Sequence, residues 1–203
     1  MKKKFFIFIL LFLSSVCFSR NNADINESSD FLSYFSEIKT IASKFTLLKY
    51  SFIAETPLTG EGFFYFQNPD KLYWEYEKPY SYGFLTDGNK TFSWQKKDGT
   101  KKVKETSSKS GVREMTALLR IFVSMDIQKI SKIYTINRID GGILLLPKDQ
   151  SEKQMIKDIK IMFDENISAV KNVTISERSG DKTEIIFFDT VVDGQLPQNA
   201  FTL

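Results

Sequence analysis

The chain has 203 residues, with 28 Lys and Arg against 25 Asp and Glu, no histidine and a single cysteine, Cys17. Absence of histidine removes the commonest general base and metal ligand along with every Ser-His or Cys-His arrangement, and one thiol cannot build a thiolate metal site. The small basic excess sits in Lys2, Lys3 and Lys4; residues 20–203 carry 25 charges of each sign, so nothing in the charge points to nucleic acid.

Those three lysines precede an unbroken apolar run, Phe5 to Leu13, and then the small residues Ser14, Ser15, Cys17 and Ser19. The run falls well short of the about 20 residues a bilayer span needs. This order of charge, grease and small side chains predicts a cleaved signal peptide over 1–19. Export to the periplasm follows, and removal of Cys17 leaves a domain without a thiol. The alternative is lipid attachment at Cys17, although Val16 stands where a lipoprotein signal carries a small residue. Residues 20–29 read as a flexible leader and 30–203 as a single domain.

Asp30 is placed to cap a helix whose stripe is Phe31, Tyr34, Phe35, Ile38 and Ile41, spaced by three and four. Strand texture follows at 44–54, 62–67, 71–77, 82–86 and 91–96. Turn material separates these runs, including Asn68-Pro69-Asp70, Lys78-Pro79 and Asp87-Gly88. Asp98-Gly99 is the clearest two-residue hairpin turn. The lysines around it, Lys96, Lys97, Lys101, Lys102 and Lys104, read as a solvated hairpin tip or as a phosphate or lipid-headgroup contact. A flexible loop at 107–111 leads to Met115, Leu118, Leu119, Phe122 and Val123 at helical spacing, with a second short helix through Ile127 and Ile130. Strands resume at 134–139, 143–146, 158–163, 170–177 and 183–192, giving a mainly β fold of about eleven antiparallel strands with a few helices.

The aromatic load, 19 Phe, 8 Tyr and 2 Trp, bears on what such a sheet encloses. In 71–77, alternation puts Leu72, Trp74 and Tyr76 on an inner face and Lys71, Tyr73, Glu75 and Glu77 in water. Phe63 to Phe66 is apolar on both faces. The bland expectation for any one ring is a packed core. A helical lid over an incompletely filled half-barrel has another physical use, which is to shelter acyl chains that cannot stay dissolved alone. Carboxylates are scattered among lysines with no marked pair, so no catalytic residue, no metal and no cofactor is expected.

One stretch is specific enough to carry a resemblance. Gly60-Glu61-Gly62, then Phe63 to Phe66, Asn68-Pro69-Asp70, Leu72-Tyr73-Trp74, Lys78-Pro79 and Phe84-Leu85-Thr86-Asp87-Gly88 resemble the LolA family of lipoprotein carriers. The helix before Lys44-Phe45-Thr46, the segment 116–136 and the ending Leu196-Pro197-Gln198-Asn199-Ala200-Phe201 are similar to the family's opening helix, lid and closing strand. The resemblance implies an unclosed antiparallel β-barrel with a helical lid. It also implies a monomeric periplasmic carrier that takes acylated lipoproteins from an inner-membrane ABC complex to the outer membrane and an acceptor there. By matched position Leu72 and Trp74 would line the acyl-chain cavity, and Met115, Leu118, Leu119 and Phe122 would form the lid. Strand alternation adds Phe64, Phe66, Tyr76 and Phe84 to the cavity wall.

Two departures stand out. The family's lid-latching arginine is replaced by Asn68, a shorter, uncharged latch that can still bond a backbone carbonyl. Leu47 stands where the first strand usually has Gln. Two other occupations of the same fold remain open: a lipid-anchored, LolB-like acceptor if Cys17 is acylated, and a module that senses lipid or lipoprotein.

Overall fold

The computed structural model describes residues 35, 37–88, 90–106, 119, 125–166 and 168–203. Its first half is a meander of β1 Thr40–Tyr50, β2 Leu58–Gln67, β3 Lys71–Lys78, β4 Tyr82–Asp87, β5 Lys90–Lys97 and β6 Thr100–Glu105. Helix α1, Ile127–Ile133, runs straight into β7 Tyr134–Ile139 and β8 Gly142–Pro147. Helix α2, Gln150–Met155, then precedes β9 Ile156–Phe163, β10 Val170–Glu177 and β11 Lys182–Val192. The signal, the leader, Cys17, Phe31, Tyr34, Met115, Leu118 and Phe122 lie outside the described residues.

All strands join one antiparallel 11-stranded sheet in the order β6-β5-β4-β3-β2-β1-β11-β10-β9-β8-β7. The chain leaves the sheet after β6 and re-enters at its far edge, and β11 returns to pair with β1, Phe45 opposite Phe187 and Leu47 opposite Ile185. Among the described residues the edges β6 and β7 do not pair, so the sheet is the open, unclosed barrel expected.

Period-two alternation decides which side chains face inward. Phe64, Trp74 and Phe84 are direct cross-strand partners on β2, β3 and β4, and all lie on the inner face with Phe45, Phe66 and Leu72. Ile143, Leu145, Ile159 and Ile161 continue that face on β8 and β9. Phe35, Ile38, Met125 and Ile130 pack into the same core, each at most 2% exposed. Asp126 caps α1 by accepting from the Lys129 amide at 3.0 Å, which turns Ile130 into the core.

The structure departs from the expectations in several places, the start of β2 at Leu58 rather than at 62 among them. Ile41 belongs to β1, paired with Phe66 and Val192, and not to the preceding helix. Asp193 Oδ1 accepts from the amides of Lys39 and Thr40, at 2.7 and 3.2 Å, and so starts the strand early. Strand β1 ends at Tyr50 because the chain turns there, with Ala54 N bonded to Ser51 O at 3.1 Å. Strand β6 is additional; it follows the Asp98-Gly99 turn, where both residues have positive φ, 51° and 77°. Helix α2 is also additional, capped by Asp149 Oδ1, which accepts from Ser151 N at 2.9 Å and Glu152 N at 3.1 Å. Finally, 196–201 is a run of coil and turns rather than a closing strand. Pro197 supplies no amide for a ladder, and the Ala200 and Thr202 amides bond back to Pro197 and Asn199.

Candidate functional site: an aromatic inner wall

The inner face of β1 to β4 and β11 is built around one indole. Phe45 stacks on Trp74 at 4.3 Å between centroids, and Phe64 and Phe84 lie nearly parallel to it at 5.3 and 6.3 Å. Phe187 meets Phe64 and Trp74 edge-on, at 5.5 and 6.4 Å. Such pairs add about 0.5–1.5 kcal/mol each beyond the area they bury. Tyr76 extends the wall, edge-on to Phe45 and stacked on Tyr82 at 4.5 Å.

Two glycines make room for these rings. A Cβ on Gly62 would stand 1.9 Å from Glu75 O and 2.8 Å from the Phe45 ring, and one on Gly60 would stand 3.3 Å from the Tyr76 ring. The Gly60-Glu61-Gly62 motif is thus the floor on which Phe45 and Tyr76 lie.

The wall is apolar with few polar interruptions. Trp74 Nε1 is buried without a hydrogen-bond partner of normal geometry, although the Tyr76 hydroxyl lies near enough for the indole to lower its pKa. Burial dominates, however, and holds the Tyr76 phenol well above its usual range; burial likewise pushes Tyr82 up to about 12. A recess of about 520 Å³ opens where the β9–β10 turn meets β11, lined by Val170, Phe187 and Val192 with Asp164, Ser168, Lys171 and Thr190 at its polar side. Its size falls in the about 300–1,000 Å³ that small-ligand sites occupy.

Leu72, Trp74, Phe64, Phe66 and Phe84 come together on this wall, none more than 4% exposed, with Tyr76 half-buried beside them. Leu119 is helical and packs against the same core. Asn68 Nδ2 donates to Ile38 O at 3.0 Å, and its amide to Lys39 O at 2.8 Å. The side chain therefore ties the β2–β3 turn to the segment entering β1.

Sequence reasoning passed over Phe45 and Phe187, which complete the stack. The alternation of Phe45 with Leu47, and of Ile185 with Phe187, was the available signal. Tyr73 corrects the expectation that its face is solvated. It is 6% exposed in a second cluster on the outer face, with Leu85 and Trp94 buried and Phe63, Tyr65, Phe92 and Phe201 against them. Lys101 Nζ covers Trp94 at 4.1 Å from the ring centre, so this lysine of the hairpin is not simply solvated.

The perturbed carboxyls have structural work. Burial raises Asp126 and Asp164, but hydrogen bonds from Lys129 and from Ser168 and Ala169 outweigh it and hold both below the usual range. Asp149 is lowered by Ser151 and the α2 amides. Glu152 is raised by burial and accepts from the Tyr134 hydroxyl. Among the described residues no three His, Cys, Asp or Glu side chains are grouped to hold a metal, and no helix is long and apolar enough to cross a membrane.

The family described as "Outer membrane lipoprotein carrier protein LolA" matches residues 36–203. No curated protein matches the sequence. Among solved structures, the chain is similar to a LolA superfamily protein from Nitrosomonas europaea, with 10% identity, a TM-score of 0.43, and 86% of this chain and 97% of that one covered. A putative outer membrane lipoprotein-sorting protein domain from Vibrio parahaemolyticus aligns at 10% identity and a TM-score of 0.44, covering 86% and 94%. The Pseudomonas aeruginosa MucA/MucB complex aligns at 12% identity and a TM-score of 0.48, covering 87% of this chain and 61% of that one.

Proposed function

The chain belongs to the outer membrane lipoprotein carrier protein LolA family, and from that premise we propose that it is a non-catalytic periplasmic carrier of lipoprotein acyl chains. It takes acylated lipoproteins released by an inner-membrane ABC complex, shelters their chains on the aromatic inner wall, and yields them at the outer membrane. The observation that carries this reading is the wall itself: a contiguous cluster of aromatic rings centred on Trp74, spanning β1 to β4 and β11 of an unclosed sheet.

An aromatic wall makes no directional demand, so it accepts alkyl chains of any register. Each methylene it removes from water is worth about 0.8 kcal/mol. The core is covered by small pieces, Phe35 against Phe163 of β9, Ile38, and α1 beside β7, and among the described residues the edges β6 and β7 do not pair. Such a cover can move without unravelling the sheet. A catalytic role gains nothing from the site, because its polar atoms are an indole N–H and phenols raised out of the working pH range.

Uptake of a fluorescent fatty acyl probe tests the reading. Leu72→Glu and Trp74→Glu each put a charge in the wall and should abolish uptake. Both side chains are core residues, so Leu47→Glu, at a half-buried position on the same face, serves as a milder variant with its fold checked by circular dichroism. Undiminished uptake in all three would overturn the assignment of the wall.

A further inference from the structure

At one end of the sheet, large apolar side chains stand in water on a braced support. The β1–β2 turn holds Phe52 and Ile53 at its tip, 81% and 92% exposed. The tip is fixed: Phe52 N donates to Asp181 Oδ1 at 2.9 Å, Ala54 N to Ser51 O at 3.1 Å, and the Phe52 ring rests on Gly180 of the β10–β11 turn. Turn tips in water ordinarily carry Gly, Asn, Asp or Ser, which satisfy the local backbone. A rigid turn presenting Phe-Ile instead has no use for them within its own fold.

The neighbouring turns continue the feature. Leu58, 49% exposed, opens β2, and Tyr80, 74% exposed, projects from the β3–β4 turn. Glu61 and Lys78, partners in the β2–β3 ladder and paired at 2.7 Å, lie beside these two turns. Lys96 N bonds Ser81 O at 2.9 Å, which sets the β5–β6 hairpin against the Tyr80 turn. That hairpin exposes Lys96, Lys97 and Lys102, and none of them is in an ion pair among the described residues. In the hairpin, Asp98 is the acid among Lys96, Lys97, Lys101 and Lys102, so the basic excess is local to it; Glu55 and Asp181 lie in the neighbouring turns, Asp181 bonded to the Phe52 amide.

One rim thus runs from apolar tips through a tyrosine to a lysine hairpin. Each of these chemistries has a counterpart at an anionic bilayer surface: apolar side chains enter the acyl boundary, a tyrosine sits at the interface and lysines meet phosphates. We propose that this rim docks on an anionic membrane surface, with Phe52 and Ile53 entering the acyl boundary and the hairpin lysines lying over phosphates. The inference is independent of what the inner wall binds, since Phe52 and Ile53 are remote from that wall in the strand alternation and in exposure.

The test is flotation with vesicles of phosphatidylethanolamine and phosphatidylglycerol, compared with phosphatidylcholine alone. The protein is taken from the cell envelope, and intact mass confirms that neither the 5–13 run nor an acyl group is attached. The expected result is flotation on the anionic vesicles, reduced at least tenfold in F52S/I53S and reduced, with loss of salt sensitivity, in K96Q/K97Q. Phe188→Ser, at an exposed position on the outer face of β11, should change nothing. In a second measurement, F52W should shift its emission to the blue and be quenched by brominated lipid. Flotation that is absent, or undiminished in F52S/I53S, would overturn the proposal, as would an unshifted F52W. A dimer in solution that F52S/I53S dissolves, without vesicle binding, would instead assign the tip to a second copy of the chain. Acyl-probe uptake should be unchanged in F52S/I53S, which keeps this result separate from that of the inner wall.

Discussion

Trp74 gathers the inner wall because three neighbours reach it by different routes. Phe64 and Phe84 are its cross-strand partners, and such pairs are close by construction. Phe45 comes from the next strand over and reaches the indole only because Gly62 has no side chain. Gly62→Ala should therefore cost about 3 kcal/mol, the upper part of the overpacking range, read as a lower thermal midpoint. A neutral result would show that the Glu75 backbone yields easily and that the motif has another cause. Asp164 gives a prediction in pH. Its folded pKa lies below the ordinary 3.8, so its contribution is present above that value and is lost as pH falls through the folded one. Exchange protection of the Ser168 and Ala169 amides, which it accepts at 2.6 and 3.2 Å, should fall as pH is lowered from about 5 to about 2. Asp164→Asn should remove that dependence; persistence of it would place the titration elsewhere.

At the scale of elements, the boundaries that sequence reveals are those set by local chemistry. Period-two runs and the Asp98-Gly99 turn give most strands, and alternation alone sorts Leu72, Trp74, Phe64, Phe66 and Phe84 onto one face. Helix α2 left a readable sign, Asp149 three residues before Glu152, but it has no buried residue and so no apolar stripe to catch the eye. Strand β6 was announced only by the Asp98-Gly99 hairpin turn before it, because a lysine-rich edge strand carries no apolar alternation to mark its bounds. Tyr73 failed for a different reason. Its partners on the outer face include Phe201, which arrives from the far end of the chain, and no local pattern announces a contact of that range. The final segment is thus a strap over the outer cluster, with Ala200 buried and Phe201 beside Trp94's neighbours. Phe201→Ala should lower stability by about 2 kcal/mol, roughly half the cost at a fully buried site, and shift tryptophan emission to the red. Unchanged emission would mean that the strap contributes no cover.

The molecule as a whole is one sheet with one thick face and one partly covered face. Among the described residues the two halves of the sheet are joined in the strand ladder by β1 and β11, which form the seam of the barrel, with a bulge between Ala42 and Lys44 where Ser43 bonds Thr190 and the Phe188 carbonyl. Strands β6 and β7, among the described residues, remain unpaired edges of the sheet. Closure of a barrel removes edges and fixes its bore; an open one trades that rigidity for a wall that can part around a guest. The sorting of side chains onto the inner face was legible in strand alternation, whereas the unclosed barrel was what the family resemblance implied. The Asn68 contact to Ile38 was foreseen only in kind, a bond to a backbone carbonyl, since the identity of that carbonyl depends on how the chain enters β1. The central claim is that the wall holds acyl chains in the envelope. Its most direct test is native mass spectrometry of the protein purified from that fraction, with denatured mass to define the N-terminus. An unlipidated N-terminus with non-covalent lipoprotein or acyl-lipid adducts is the result this account predicts. A bare mass that stays bare after incubation with lipoprotein would contradict it, and a diacylglyceryl-sized increase on Cys17 would make the protein an anchored acceptor rather than a soluble carrier.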